Sequence, residues 1–353
     1  MTTYSLRSAS PAKTRADAVV VGVVAGPKGP RLCDAADDVS AAYGRRLRPF
    51  LSTMGVTGKA GEAVKAPTRD EVNAPLLVFV GIGEDPTDLI AVRRAAGVAA
   101  RSVSNAASVA LALPSETPEL IAAVVEGHRL GGYTFTAYKS SKSETSEPND
   151  VVVQSAIARL GLALKVTAYA PMAENMVSGT STRPGDVITM HNGTTVEIAN
   201  TDAEGRMLLG DALSLAVGDE PDVVVDIATL TGHMQLALGD KVGAVMGTDD
   251  QVFAVLAAGV AAGEQHWRMP IPEEMSERIT SSKIADLLQH DWVRWGGGLY
   301  ASAFLREFTG GLPWAHLDIA GKEINTGGPY GHVPAGATGF GVTTLVELAR
   351  SMA

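Results

Sequence analysis

Asp202 and Glu204 stand two residues apart, and Arg206 follows two residues later, in the stretch Asn200-Thr201-Asp202-Ala203-Glu204-Gly205-Arg206. Carboxylates are hard oxygen ligands suited to divalent cations. Two of them held close repel unless a cation or a proton joins them. An arginine beside such a pair neutralises part of the charge, or holds an anion next to a metal. Alternate positions of an extended segment point the same way, which would put Asp202, Glu204 and Arg206 on one face. The same residues also fit a plainer arrangement, with Asp202 capping a helix and the acids left in solvent.

The elements around the stretch must position it. Residues 196–198 read as a strand and 207–215 as a helix, so the acids lie at a strand-to-helix junction. Open α/β sheets build their sites at such junctions. Gly193 turns a hairpin between 187–190 and 195–198. Residues 223–228 carry the strongest strand signal, an apolar run that implies cover on both faces. That run ends in Thr229-Leu230-Thr231-Gly232, small polar residues at the carboxyl end of a strand. Strands over 165–170, 242–246 and 314–319 are expected, with helices over 151–160, 250–262, 299–308 and 341–352. The span 269–295 reads as loop-rich, and 171–186 as irregular. Glu174 and Asn175 in that irregular span are suggestive as loop residues beside a site.

Upstream, strands over 17–24, 76–81 and 109–113 alternate with helices over 35–51, 87–102 and 118–130. The first helix would show Val39, Ala42, Tyr43 and Leu47 on one face; the second is capped by Thr87 or Asp88; the third has Pro118 in its first turn. This order predicts a small parallel-sheet domain. Gly81-Ile82-Gly83-Glu84-Asp85-Pro86 is only a partial dinucleotide fingerprint, and a tight turn explains it better. Residues 139–150 are polar and Ser-rich, a linker or surface loop. The expected fold class is therefore α/β, with an N-terminal domain over 1–138, the linker over 139–150 and a second α/β domain over 151–353.

Other chemistry is thin. Seven histidines are scattered singly, with no H-E-x-x-H, so a histidine-ligated zinc site is not expected. His316 reads as a hydrogen-bonded core histidine, and Asp226 and Asp318 as paired structural acids inside strands. Gly296–Gly298 would suit a phosphate or tight helix packing. There is no G-x-S-x-G, P-loop or cysteine-nucleophile context. The chain is 46% hydrophobic with 38 glycines, which suits a globular protein. Its net charge of −10 and pI near 5.2 argue against nucleic acid or an anionic membrane as partner. A lone cysteine, Cys33, no signal-like core in residues 1–15 and no apolar run of membrane length point to the cytoplasm.

The heptapeptide resembles the signature of the M17 leucyl aminopeptidases, the cytosol aminopeptidase family. The resemblance continues through Pro171-Met172-Ala173-Glu174-Asn175-Met176, Arg183-Pro184-Gly185-Asp186, Asp226-Ile227-Ala228-Thr229-Leu230-Thr231-Gly232, Arg294-Trp295-Gly296-Gly297 and Trp314-Ala315-His316-Leu317-Asp318-Ile319-Ala320-Gly321. It is strong over 151–353 and looser before. It implies a metallopeptidase-like second domain in which two divalent metals, manganese or zinc, activate a water that attacks the amino-terminal peptide bond of leucine-type peptides. It implies Asp202 and Glu204 as metal ligands, and Arg206 as the arginine that holds a bicarbonate acting as base. Asn200, Thr229, Leu230, Gly232 and Ala320 map onto site-lining positions. A homo-oligomer, a hexamer in the family, is implied too.

The sequence departs from the family in one block. The K-G-x-x-x-D-x-G-G stretch and the later K-x-D-M-G-G-A, which supply a metal-binding lysine, two metal-binding aspartates and a second lysine, are absent. Lys139-Ser140-Ser141-Lys142 is no substitute, and the chain runs from Glu147-Pro148-Asn149-Asp150 straight into Val151-Val152-Val153-Gln154. This implies an internal deletion that truncates the catalytic domain, under-ligates the metals and leaves 223–228 on a sheet edge. The alternative expectation is a degenerate family member acting as an assembly or structural protein.

Overall fold

The computed structural model describes residues 10–68, 71–132, 162–173 and 178–353. The expected linker over 139–150 and helix over 151–160 lie outside the described residues, as do Glu174 and Asn175. The chain divides into two compact units, one of Met1–Asp150 with Asn325–Thr338, the other of Val151–Ile324 with Gly339–Ala353. The short segment Asn325–Thr338 thus groups with the first unit.

In the first unit, β1 (Ala18–Val24) is apolar throughout and buried at all seven positions. It pairs in parallel with β4 (Leu76–Gly83) and β5 (Val109–Ala112). This is the expected parallel set. Two antiparallel strands extend it: β2 (Arg31–Leu32) beside β1, and β3 (Ala63–Pro67) beside β4. The helix expected over 35–51 is broken. It forms α1 (Asp37–Tyr43) and α2 (Leu47–Thr53), because Gly44 turns the chain at φ +51. Helix α3 (Leu89–Ser102) starts where the Asp88 side chain accepts the N–H groups of Ile90 and Ala91. Thr117 caps α4 (Pro118–Gly131) in the same way through Leu120. The two helices meet backbone to backbone at glycines: a Cβ on Gly127 would lie 2.0 Å from the Arg93 carbonyl oxygen, and one on Gly131 would lie 2.4 Å from the Gly97 Cα. Cys33 is buried, and burial pushes its thiol up to about 11.

The second unit holds the junction. Strands β6 (Val187–Thr189) and β7 (Thr195–Glu197) form the expected hairpin, with Gly193 at φ +90. Helix α5 (Glu204–Val217) follows, then β8 (Val224–Ala228), α6 (Gly232–Leu238), β9 (Val242–Gly247) and α7 (Asp249–Ala262). Strand β10 (Gln265–Arg268), not anticipated, comes next. The loop-rich span contains α8 (Glu273–Ile279) and β11 (Leu287–Leu288). Helix α9 (Gly297–Arg306), β12 (Trp314–Asp318) and α10 (Val342–Met352) complete the unit.

The main sheet has the order β10-β9-β12-β8, and β11 joins β7 in a smaller sheet. Among the described residues, β8 is therefore at the rim of this sheet. Val224 and Asp226 are buried while Val225, Ile227 and Ala228 are half-buried. Val225 and Ile227 pack against the cluster of Val245, Leu317 and Leu348, so both faces of β8 meet other residues, while among the described residues its one ladder partner is β12. The strand expected over 165–170 is absent. Leu162, Leu164 and Val166 instead pack against Val346 and Ala349 of α10. The apolar alternation is satisfied by a helix surface, with no backbone ladder.

Candidate active site

Asn200 leaves the hairpin in extended conformation, and its side-chain oxygen accepts the N–H of Asp202 at 3.0 Å. This cap starts a 3-10 turn, Thr201–Ala203, that runs directly into α5. Asn200, not Asp202, is the cap. The shared face expected for an extended segment does not form either, because at about 100° per residue Glu204 and Arg206 point to nearly opposite sides of the helix. Asp202 and Glu204 are exposed; Arg206 is buried. Acids at a helix start are favoured by the helix dipole and need no partner to stay there.

Arg206 turns inward. Its Nη1 donates to the Gln289 carbonyl oxygen at 2.7 Å, and the guanidinium lies 5.7 Å from the Tyr300 ring centroid. Its Nε is buried with no hydrogen-bond partner among the described residues. Burial pushes its pKa down to about 10, against the charges of Tyr300, Asp291, Asp318 and Glu204, so it stays cationic at neutral pH. Tyr300 donates to the Leu288 carbonyl at 2.6 Å, and Arg278 also lies over its ring, 5.3 Å from the centroid. Arg278 is held in turn by Asp291 through two bonds of 2.6 and 3.0 Å.

Gln289 is the residue that sequence reading missed. It is 1% exposed. Its Oε1 accepts the N–H groups of Ala199 at 3.2 Å and Asn200 at 3.0 Å, and its Nε2 donates to the Ala203 carbonyl at 3.1 Å. Nothing in its sequence surroundings, between Leu288 and His290, advertises this.

The carboxyl ends of β8 and β12 are joined by Asp318, fully buried. Its Oδ1 accepts the N–H groups of Leu230 at 3.2 Å, Thr231 at 3.4 Å and Ala320 at 3.2 Å, and its Oδ2 accepts the Thr231 hydroxyl at 2.7 Å. This gathers two of the expected lining residues, Leu230 and Ala320. A Cβ on Gly205 would stand 3.5 Å from Leu230 Cδ1, so the same loop abuts the signature turn. Thr229 is exposed and Gly232 opens α6 with free space around it. Lys322, unnoticed in the sequence, is buried here and donates to the Ala320 carbonyl at 2.8 Å. The glycine run resolves in favour of packing, since Gly297 lies against the His233 ring and Gly298 against Met234 and Thr231.

A pair of divalent ions asks for about four to six donors each. Among the described residues, no group of three or more His, Cys, Asp or Glu side chains lies close enough to hold a metal ion. Two exposed carboxylates with no third such donor beside them among the described residues do not fit a dinuclear centre.

Residues 20–142 match the model of the cytosol aminopeptidase family, N-terminal domain, and residues 150–346 that of its catalytic domain. The probable cytosol aminopeptidase of Streptomyces coelicolor is 34% identical, with 99% of this chain and 98% of that protein covered. That alignment runs over 511 positions against 353 residues here, so at least 158 positions lack a counterpart, in keeping with the deletion. The probable cytosol aminopeptidase of Nocardia farcinica is 50% identical over 197 residues, 56% of this chain and 39% of that protein. Among solved structures, the bottromycin maturation enzyme BotP in complex with Mn aligns with a TM-score of 0.78 at 26% identity, covering 96% of this chain and 100% of that one. A tomato leucine aminopeptidase mutant shares the fold, with a TM-score of 0.74 at 20% identity over 95% and 94% of the two chains. The chain, with its acid pair at the head of α5 and both of its domains matched, belongs to the cytosol aminopeptidase family.

Proposed function

We propose that this chain is a peptidase that removes amino-terminal residues, leucine-type among them, from peptides. The observation that carries the reading is the junction itself: an exposed acid pair on a capped turn, with a buried cation behind it, inside the span matched by the catalytic-domain family. In this reading Asp202 and Glu204 are the acidic donors presented to divalent cation. Arg206 is the anion-holding group, and its unpartnered Nε suits an oxyanion such as bicarbonate. Asn200, Thr229, Leu230, Gly232 and Ala320 line the peptide. The donor set stops at two carboxylates, so we write no step through a metal.

What the chain's own residues contribute is placement. The Asn200 cap and the Gln289 amide hold the turn, and Asp318 holds the loop opposite, so a peptide would meet fixed groups rather than mobile ones. A cytoplasmic location and a homo-oligomer, hexameric as in the family, go with this reading. Among the described residues no helix is long and apolar enough to cross a membrane.

The test is hydrolysis of a leucine anilide by the full chain with added manganese, the ion found with BotP. Turnover that is lost in Glu204→Ala supports the reading. No turnover above that variant removes it, and leaves the family fold without the family reaction.

A further inference from the structure

One residue touches both halves of the signature without belonging to it. Strand β11 runs parallel to β7, with Leu287 opposite Val196 and Leu288 opposite Glu197. The ladder continues one step further, because the Gln289 N–H donates to the Glu197 carbonyl at 2.9 Å. Gln289 is thereby held level with the exit of the hairpin. Its side chain then spans the turn, accepting from Ala199 and Asn200 and donating to Ala203. Its own carbonyl oxygen accepts Nη1 of Arg206.

The chemistry of the site calls for this side chain type. The start of a helix leaves backbone groups without intrahelical partners. Here two donors and one acceptor from the turn converge on one buried point. A primary amide offers an acceptor and donors in one plane. A carboxylate of the same shape offers only acceptors, and would set an oxygen against the Ala203 carbonyl. Asparagine is one methylene shorter, and an aliphatic side chain offers none of the three groups a partner.

We propose that Gln289 is the positioning residue of the signature: its side chain fixes the turn that carries Asp202, its main chain fixes Arg206, and together they set the acid pair relative to the cation. The catalytic consequence rests on the peptidase reading above; the positional claim does not. Gln289 touches neither acid, so it acts through the backbone of 199–203 and through Arg206.

The experiment compares the full chain with Gln289→Ala and Gln289→Glu by amide hydrogen exchange resolved across 199–206, and by manganese-supported leucine anilide hydrolysis. Gln289→Ala is expected to speed exchange at Ala199 and Asn200 by about tenfold or more and leave β12 unchanged, since it removes their acceptor. It should lower kcat by about tenfold with KM within about twofold, because misplaced groups are felt in the transition state. Gln289→Glu keeps the acceptor, so Ala199 and Asn200 stay protected while kcat still falls. It conserves volume and decides the matter if the alanine variant does not fold. Unchanged exchange at 199–200 in Gln289→Ala, or wild-type kcat in Gln289→Glu, overturns the proposal. A wild-type chain without turnover would end the peptidase reading, and the exchange data alone would then decide for or against Gln289.

Discussion

His316 and Asp226 face each other directly across the parallel ladder of β12 and β8, with Nδ1 of the ring 2.6 Å from Oδ1 of the acid. Asp226 also accepts Nε1–H of Trp314 at 2.7 Å, so one carboxylate ties three positions of the two strands together. Burial by itself would strip the His316 proton. The charge and hydrogen bond of Asp226, with Asp318 adding to them, outweigh this and raise its pKa above the ordinary histidine value.

Asp226→Asn should therefore cost roughly 3 kcal/mol of stability, because it leaves a buried imidazole without its counter-charge. The sign of the pH effect follows from the raised value. The contribution of His316 is complete below about pH 6.5, its unfolded value, and fades as pH climbs through the higher folded value. Urea unfolding at a series of pH values from 6 upward should show this decline in the wild type and its absence in the variant.

Asp318→Ala strips the acceptor from three N–H groups and one hydroxyl at the mouth of the sheet. Each buried donor left without a partner costs about 1–3 kcal/mol, so a loss of at least roughly 3 kcal/mol is expected after local water entry. A thermal melt reads the loss. Exchange at Leu230 and Thr231 should rise before that of β9, and a uniform rise would mean a global rather than a local effect.

Gly127→Ala sets a methyl group 2.0 Å from the Arg93 carbonyl, where only rigid backbone could yield. Overpacking of this kind costs about 1–3 kcal/mol and outweighs the helix preference of alanine, near 1 kcal/mol at most. Gly232→Ala, with nothing within 4 Å of the added carbon, should leave the melting temperature unchanged. Equal melting temperatures for the two variants would contradict the close approach of α3 and α4.

His266 occupies a slot walled by Gly243 and Gly259, and burial pushes its pKa down to about 4. Its Nε2 lies 2.9 Å from the Thr344 hydroxyl oxygen, which in turn lies 2.6 Å from Glu264 Oε2. A depressed value works in the opposite sense to His316: stability is full above about pH 6.5 and drains as pH falls toward 4, by roughly 3 kcal/mol at the end of that range. His266→Gln should flatten the slope of unfolding free energy between pH 6.5 and 4, as measured by urea titration.

Long apolar runs were legible from sequence. The segments that became β1, β4 and β8 combine β-branched residues with flanking turn signals, and they and β12 formed where expected. The junction at Asn200–Arg206 was legible because the whole heptapeptide resembles the family signature; its acid pair and arginine alone fit a plain helix start as well. What stayed hidden depends on distant partners. Gln289 acts on groups 86 to 90 residues earlier, which no local pattern encodes. Strands β2 and β11 have two residues each, too few for any periodicity to register. The inward turn of Arg206 came from a helix beginning at Glu204, where an extended chain would have aimed it outward with the acids. The alternation at 162–166 was real but ambiguous, since a helix groove accepts the same pattern as a neighbouring strand.

The rim position of β8 bears on how such a domain changes over evolutionary time. Its link to β12 is complete in itself, with five opposed residue pairs and the Asp226–His316 clasp, and owes nothing to whatever lies beyond. A strand added or removed on the outer flank of the sheet would accordingly leave the pairing of β8 with β12 in place.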